Sequence, residues 1–471
     1  MNFFMKRRIF ILLLFFILIL TSGFGCALVD KKTQAAIKPI TLTYWRVWDG
    51  PDAFEEIINK YKQLHPFVTI EYRKLRYNEY EKELLEAMAE DKGPDIFSIH
   101  NTWIKKYQTK IAPMPTEITM AYPVVKGTLK KETVIELRPS KSITMRELKN
   151  NFIDAIYDDV VIPVADDKTG EETERVFALP LSVDTLAMYY NKDLLNNAGI
   201  SEPPPYWNKD FQQAVKKLTK QDASGEIIQT GVALGGSKNI ERYSDVLSAL
   251  MMQNGAVMMD EAGRVMFDKI PTTLKNQNYN PGLEALRFYS DFANPGKEVY
   301  CWNSKMENSL DLFIQGKLAI MFGYAYHLPT IKARAPKLNF AIARLPQIQS
   351  SSAQVNFANY WVETVSNKSQ NADVAWDFIQ FAAKEDQVKS YLDIAKKPTA
   401  LRSLVNEQVD DMGIGVFAEQ VLTADSWYEG EDSNAAELII GEMIDSAVKG
   451  EDKIENIIKL GAQRVGQTID Q

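Results

Sequence analysis

Side chains suited to acid–base, nucleophilic or metal chemistry are sparse in this chain and scattered along it. Its three histidines, His65, His100 and His327, stand far apart, and none shares a metal-ligand spacing with another. There is no HExxH pair, no CxxC, no glycine-rich phosphate loop and no GxSxG nucleophile elbow. The 62 Asp and Glu residues could still supply the carboxylate pair of a glycoside hydrolase, so this inventory leaves catalysis open. The positive signal is aromatic side chains set at strand ends and turns. In "TYWRVWDGPDAFEE" (43–56), Trp45 falls inside a strand pattern and reads as core. Trp48 and Asp49 come after the strand, at a helix entry. There they either face a cleft or form a packed turn with Asp49 as a helix cap, and the sequence weighs these two readings evenly.

The elements that would position such residues follow from periodicity. Ile40, Leu42 and Tyr44 alternate on one strand face, and Phe54, Ile57, Ile58, Tyr61 and Leu64 then recur at helical spacing, with Asp49 or Asp52 available as cap. Pro66 breaks that helix before a second strand through Val68, Ile70 and Tyr72. An amphipathic helix over Tyr77–Ala89 and the turn in "KGPDIFSIH" lead to a third strand. This order predicts an α/β domain with a parallel sheet. Residues 109–160 are less regular, with one helix expected over 145–157. Residues 126–149 hold seven Lys or Arg against three Glu, read as a solvated insertion in preference to a docking surface. Order returns at 175–193 as strand, Pro turn and strand. A helix over 210–219 follows, then hairpins turned on Ser224-Gly225 and Ala262-Gly263. Helices over 281–292 and 308–315, a strand over 318–324, and helices over 372–383 and 385–395 come next. After Asn434 two helices carry the apolar stripe Leu438, Ile439, Met443, Ile444, Ile454, Ile457, Ile458 and Leu460.

At 471 residues the chain calls for two or three domains. Its net charge of −8 argues against a nucleic-acid partner, which would need a basic surface. Residues 1–26 read as an export signal, with Lys6-Arg7-Arg8 before the apolar run 9–20. The ending "TSGFGC" resembles a bacterial lipoprotein signal, in which Cys26 is lipidated. The competing reading keeps 9–29 as a signal anchor. Either way residues from Asp30 onward lie outside the cytoplasmic membrane and tethered to it, 27–38 being a short polar tether. A lipidated Cys26 leaves Cys301 alone, so no internal disulfide is expected.

Five stretches occur in a telling order: "LTYWRVWDGPDAFEEIINKYKQLHPFVTIEYRK", "GPDIFSI", "FALPLSVDTLAMYYNKDLLNNAGISEPPPYW", "FIQGKLAIMFGYAYHLPTIK" and "ANYWVETVSNKSQNADVAWDFIQFAAKEDQVKSYL". Together they resemble the extracellular solute-binding proteins of ABC importers, in the sugar-binding group that includes the maltodextrin-binding proteins. The sequence departs from that pattern at Tyr206, where Thr is usual, and in the length of 109–160. The resemblance implies a two-lobed, periplasmic-binding-protein-like (type II) α/β fold, each lobe a mostly parallel sheet flanked by helices, with a hinge between lobes. The N-terminal lobe would comprise 39–186 plus 362–403, with an insertion at about 110–160, and the C-terminal lobe 187–361 plus 404–471. The chain would cross near 184–190, 360–364 and 401–405. The implied function is non-catalytic: a monomer anchored through lipid captures a sugar and delivers it to a membrane permease, without cofactor or metal. A binder of another polar solute, such as a polyamine or peptide-like compound, is the alternative, followed by a carbohydrate-active enzyme.

Sugars present C–H faces to aromatic rings and hydroxyl rims to planar polar side chains. On that basis Trp48 and Asp49 stand as ligand candidates, evenly against a packed turn, and His100 and Asn101, after the strand "DIFSI", match polar ligand contacts of the family. Trp103 reads as packing. Asp184 stands where the family places an acidic ligand residue, Asn254 lies in a second-lobe loop, and one of Tyr324 and Tyr326 is expected to stack on ligand. Asn359, Tyr360 and Trp361 lie at the second crossing, where hinge packing competes with ligand contact. Arg402 sits near the third crossing with an inter-lobe ion pair as its rival role. Trp427, in "DSWYEGED", stands where maltodextrin binders carry a stacking Trp and is the foremost aromatic candidate. Asp95 and Pro180 read as structural.

Overall fold

A computed structural model describes residues 37–128, 131–165, 170–277, 279–349 and 354–470, with 276 and 277 as backbone only. The leader, Cys26 and most of the tether lie outside the described residues. β1 (Ile40–Arg46), β2 (Val68–Lys74) and β3 (Ile96–His100) alternate with the helices Asp52–Leu64 and Tyr77–Ala89. The short β4 (Ile111–Ala112) leads to two antiparallel hairpins, β5 (Glu117–Lys126) with β6 (Glu132–Lys141) and β7 (Val161–Ala165) with β8 (Glu172–Val176). β9 (Asp184–Thr185) and β10 (Ala187–Asn191) are followed by β11 (Lys220–Gln221), β12 (Ile227–Val232), β13 (Leu318–Gly323) and β14 (Phe340–Ala343). β15 (Asn356–Asn359), β16 (Trp361–Ser366) and β17 (Ala424–Asp425) complete the strands.

Apart from the two hairpins, three sheets organise the described strands. The first runs β2-β1-β3-β16-β4 and the second β11-β12-β13-β10-β14. β1 is parallel to β2 and β3, as the strand–helix–strand pattern requires, but β16 is antiparallel to β3 and to β4. In the second sheet only β12 and β13 are parallel. Both sheets are therefore mixed, where mostly parallel ones were expected. The reason is connectivity: β16 enters the first sheet by a direct return from the other body, without a crossover helix to reverse it. The third sheet, β17-β15-β9, lies between the two cores, and its strands pair through Asn359↔Asp184, Ala358↔Thr185 and Asn356↔Ala424.

Each large sheet covers its own core. One core gathers Tyr44, Phe54, Tyr80, Phe97, Trp376 and Tyr391, and the other Tyr189, Phe211, Tyr289, Trp302, Phe313 and Tyr324. Val183, Ala358 and Val421 pack into the first, while Leu186, Phe417 and Trp427 pack into the second. The chain thus passes between the cores beside each strand of the small sheet.

Several local expectations are corrected. Neither Asp49 nor Asp52 caps the first helix, whose N-cap is Pro51 without a side-chain bond. The helix expected over 145–157 is two, Met145–Asn151 and Asp154–Val160, because Phe152 and Ile153 turn their backbone to Leu401 and Ala400. Trp45 is only partly buried, its ring covered by the Arg73 guanidinium at 4.7 Å. Leu438 and Leu460 are exposed, while Ile439, Met443, Ile444, Ile457 and Ile458 form the buried stripe.

Candidate functional site

A cleft of about 290 Å³ opens between the two bodies, with the small sheet as its floor. One wall is aromatic. β1 ends at Arg46, and the turn through Gly50 and Pro51 leaves Trp48 outside the core, 50% exposed. Tyr77 opens the helix Tyr77–Ala89 beside it, 51% exposed, and the two rings stack at 5.0 Å and 22°. Trp361, the first residue of β16, meets both edge-on at 6.3 and 6.2 Å. His100 and Asn101, at the end of β3, extend this wall. His100 Nδ1 lies 2.8 Å from the Thr102 hydroxyl, and desolvation pushes the imidazole pKa down to about 4, so the ring is neutral.

The facing wall is polar. Arg242 takes a left-handed backbone (φ 55°) at the start of the helix Tyr243–Gln253. That conformation is costly for a side chain of this size, and here it brings the guanidinium back onto Asp245. Nε and Nη2 donate to the two carboxylate oxygens at 2.8 and 2.9 Å. The Tyr324 hydroxyl donates to Asp245 Oδ2 at 2.6 Å, and Glu437 lies 3.8 Å from Arg242. Tyr326, half exposed, stacks on Tyr324 and on His327. At the floor, Asp184 Oδ1 accepts from the Ala325 and Thr185 amides at 3.1 and 2.9 Å. Desolvation nevertheless raises its carboxyl to about 7, those two bonds opposing the rise.

All three cations of the lining are paired within the protein. Besides Arg242, Arg46 lies 3.1 Å from Asp49 and 2.9 Å from Glu363, and Lys397 lies 2.7 Å from Asp49. Burial opposes ionisation of Asp49, but Arg46 and Lys397 outweigh it and hold the carboxyl below its usual range.

Residues 148–389 match the family described as bacterial extracellular solute-binding protein. The chain belongs to this family. Members bind solutes outside the cytoplasm and are not enzymes. A binding protein of Brucella abortus (strain 2308) is 23% identical over 403 residues, 82% of this chain and 83% of its own. The maltodextrin-binding protein MdxE of Bacillus subtilis (strain 168) is 22% identical over 318 residues, 65% and 66% of the two chains. Among solved structures, the cyclic alpha-maltosyl-1,6-maltose binding protein of Arthrobacter globiformis superposes with a TM-score of 0.68 at 18% identity, covering 92% of this chain and 99% of that one. The α/β periplasmic-binding-protein fold, with mixed sheets flanked by helices, is thereby shown.

Within this solute-binding fold, nine of the residues weighed in the sequence as ligand contacts line the cleft: Trp48, His100, Asn101, Asp184, Tyr326, Asn359, Tyr360, Trp361 and Trp427. Asp49 lies behind the wall, 8% exposed, bonded by Lys397 and by the Tyr391 hydroxyl at 2.9 Å. Tyr324 is buried one layer back. Asn254 ends the helix Tyr243–Gln253 away from the cleft and bonds the Pro281 carbonyl at 2.8 Å. Arg402 pairs with Asp154 of the insertion helix, within the first body. Trp427 touches the cleft but is only 8% exposed, and its indole N–H donates to Ser248 at 3.0 Å. Tyr77, Arg242, Asp245, Glu437 and Ser426 also line the site and escaped the sequence reading. Only Tyr77 left a signal, as a large aromatic at the exposed first position of its helix.

Proposed function

We propose that this protein captures a neutral sugar or short oligosaccharide in the cleft and delivers it to the permease of an ABC importer. The observation that carries the reading is the pairing of walls. Stacked Trp48 and Tyr77 with Trp361 offer flat apolar faces opposite a polar wall, and the cations of the lining already have carboxylate partners. Such a site favours a ligand with C–H faces and hydroxyls over a phosphorylated or carboxylated one. Maltodextrin binding by MdxE and cyclic maltosyl-maltose binding by the Arthrobacter globiformis protein support the same class. In this reading Trp48, Tyr77, Trp361 and Tyr326 stack on the ligand. His100, Asn101, Asp184, Asn359, Arg242, Asp245 and Glu437 supply hydrogen bonds. The bodies on either side of the small sheet act as two lobes, joined where the chain passes between the cores beside β9, β15 and β17, and close by hinge motion. Lipid on Cys26 anchors the chain to the membrane, and the chain acts as a monomer.

A thermal-shift panel of maltose, maltotriose, galactobiose, spermidine and a tetrapeptide tests the ligand class, because a ligand of the native state raises the melting temperature by mass action. A shift with a saccharide and no product on chromatography is expected. A shift with spermidine or peptide alone, or sustained saccharide turnover, overturns the reading. Expression of Cys26→Ser tests the anchor, with release from the membrane fraction as the expected result.

A further inference from the structure

Asn101 leaves one polar atom unmatched at the cleft wall. It opens the short turn Asn101–Trp103 after β3, lines the cleft and is 4% exposed. Its Nδ2 donates to Asp159 Oδ2 at 3.0 Å, whereas its Oδ1 is buried with no hydrogen-bond partner among the described residues. Asp159 belongs to the helix Asp154–Val160, in the segment read from sequence as a solvated insertion. Its carboxylate also accepts from the Tyr360 hydroxyl and from the Ser426 hydroxyl, which lies 2.8 Å from both oxygens. An ionised carboxylate only accepts, so it can hold the Asn101 amide by its NH2 end alone. The reversed amide would set oxygen against oxygen. Held this way round, Asn101 keeps a buried acceptor unpaired, a desolvation cost that a donor would remove.

We infer that Asp159 is a positioning residue that fixes Asn101 with its carbonyl oxygen as acceptor at the cleft wall, so that the ligand group lodged there is an O–H or N–H donor. The inference rests on the cleft being the ligand site. A sugar hydroxyl satisfies Asn101, and an ether, carboxylate or phosphate oxygen in its place does not. The donors on Asp159 come from the end of β3, from between β15 and β16, and from beyond β17. The same carboxylate therefore ties the first wall to two of the segments that pass between the cores.

Protonation of Asp159 permits the reverse arrangement, because a carboxylic acid can donate to Asn101 Oδ1 and leave the NH2 free to turn into the cleft. Desolvation raises this carboxyl to about 7, against the bonds from Tyr360, Ser426 and Asn101, and the Glu429 carboxylate adds to the rise. Asp158 and Asp425 act on Tyr360 and Glu429, and Lys105 acts on Glu429. Affinity for a donor ligand therefore falls as pH drops through about 7.

The test has two arms on the full chain. In the first, the side-chain amide NMR signals of Asn101, identified by their loss in Asn101→Ser, are followed from about pH 8 to pH 5.5. They should titrate near 7 in the wild type and stay fixed in Asp159→Asn. Signals that ignore pH in the wild type overturn the inference without reliance on any variant's folding. In the second, calorimetry with maltotriose should give about a tenfold loss at pH 8 for Asp159→Asn and for Asn101→Ala, with no further loss in the double variant. The deficit of Asp159→Asn against wild type should shrink at pH 5.5. Unchanged affinity in Asp159→Asn, or additive losses, refutes the positioning role. If maltotriose and the other saccharides all fail to bind, the sugar reading falls, while the NMR arm still decides how Asn101 is held.

Discussion

The sequence ranks Trp427 above Trp48 as a stacking residue, yet the structure assigns them the opposite consequences on truncation. An aromatic side chain of this kind can bury roughly 200 Å². Trp48 is 50% exposed, which leaves about 100 Å² for a ligand, and a sugar ring lying on one face covers about half of that. At about 25 cal/mol per Å² the contact is worth about 1.3 kcal/mol, or roughly tenfold in Kd. Trp427 is 8% exposed and packs edge-on against Phe267 and Tyr428, so it has little surface left to offer. Its removal opens a cavity and frees the Ser248 hydroxyl, a loss of about 3–5 kcal/mol in stability. Trp48→Ala should therefore weaken binding of the best saccharide about tenfold by calorimetry, with the melting temperature nearly unchanged. Trp427→Ala should melt several degrees lower. Wild-type affinity in Trp48→Ala, or a Trp427→Ala protein that keeps its melting temperature but loses the ligand, would refute the assignment.

Other perturbations follow from buried charge. Arg46→Met leaves buried Glu363 without its cation and Asp49 with Lys397 as its one remaining cation, and should cost about 3–5 kcal/mol in urea unfolding; a loss below about 1 kcal/mol would mean the ion pairs are not formed. Asp184 binds its proton more tightly in the folded state, about 7 against an unfolded value of about 3.9. Its contribution is therefore full below pH 4 and lost as pH rises through about 7. Asp184→Asn should gain melting temperature over wild type as pH rises across that window, and a difference that shrinks contradicts the sign. Cys301 is fully buried and its thiol is pushed up to about 12 by desolvation, so in a Cys26→Ser background a thiol reagent should label it only on unfolding. Labelling of the native protein would show that its site opens.

What the sequence conveyed was governed by the range of the forces involved. The helix Tyr77–Ala89 and the strands around it are set by local apolar period, and they appear where that period places them. Asp49 shows the limit. Its position after a strand is equally that of a helix cap, a cleft residue or an ion-pair partner. The choice was made by Arg46, three residues before it, together with Lys397 and Tyr391, hundreds of residues away. Arg402 and Asn254 failed to reach the cleft for the same reason, since their partners Asp154 and Pro281 are long-range. Arg242 was invisible because nothing in "NIERYSD" announces a left-handed backbone at a residue other than glycine.

The site's division of labour follows from how the chain passes between its two cores. Stacking surfaces sit at the entrance, on residues that end a strand or open a helix, where a large side chain can stay half exposed without loss to the core. Polar groups on the floor come from the passing segments, whose backbone pairing in the small sheet leaves side chains free to turn toward the cleft. Asp184 and Asn359 face each other across that pairing, and Ser426 follows directly from the strand that completes it. A ligand bonded to these residues would touch the segments that join the two bodies. Ligand recognition and any bending of the hinge would then draw on the same hydrogen bonds.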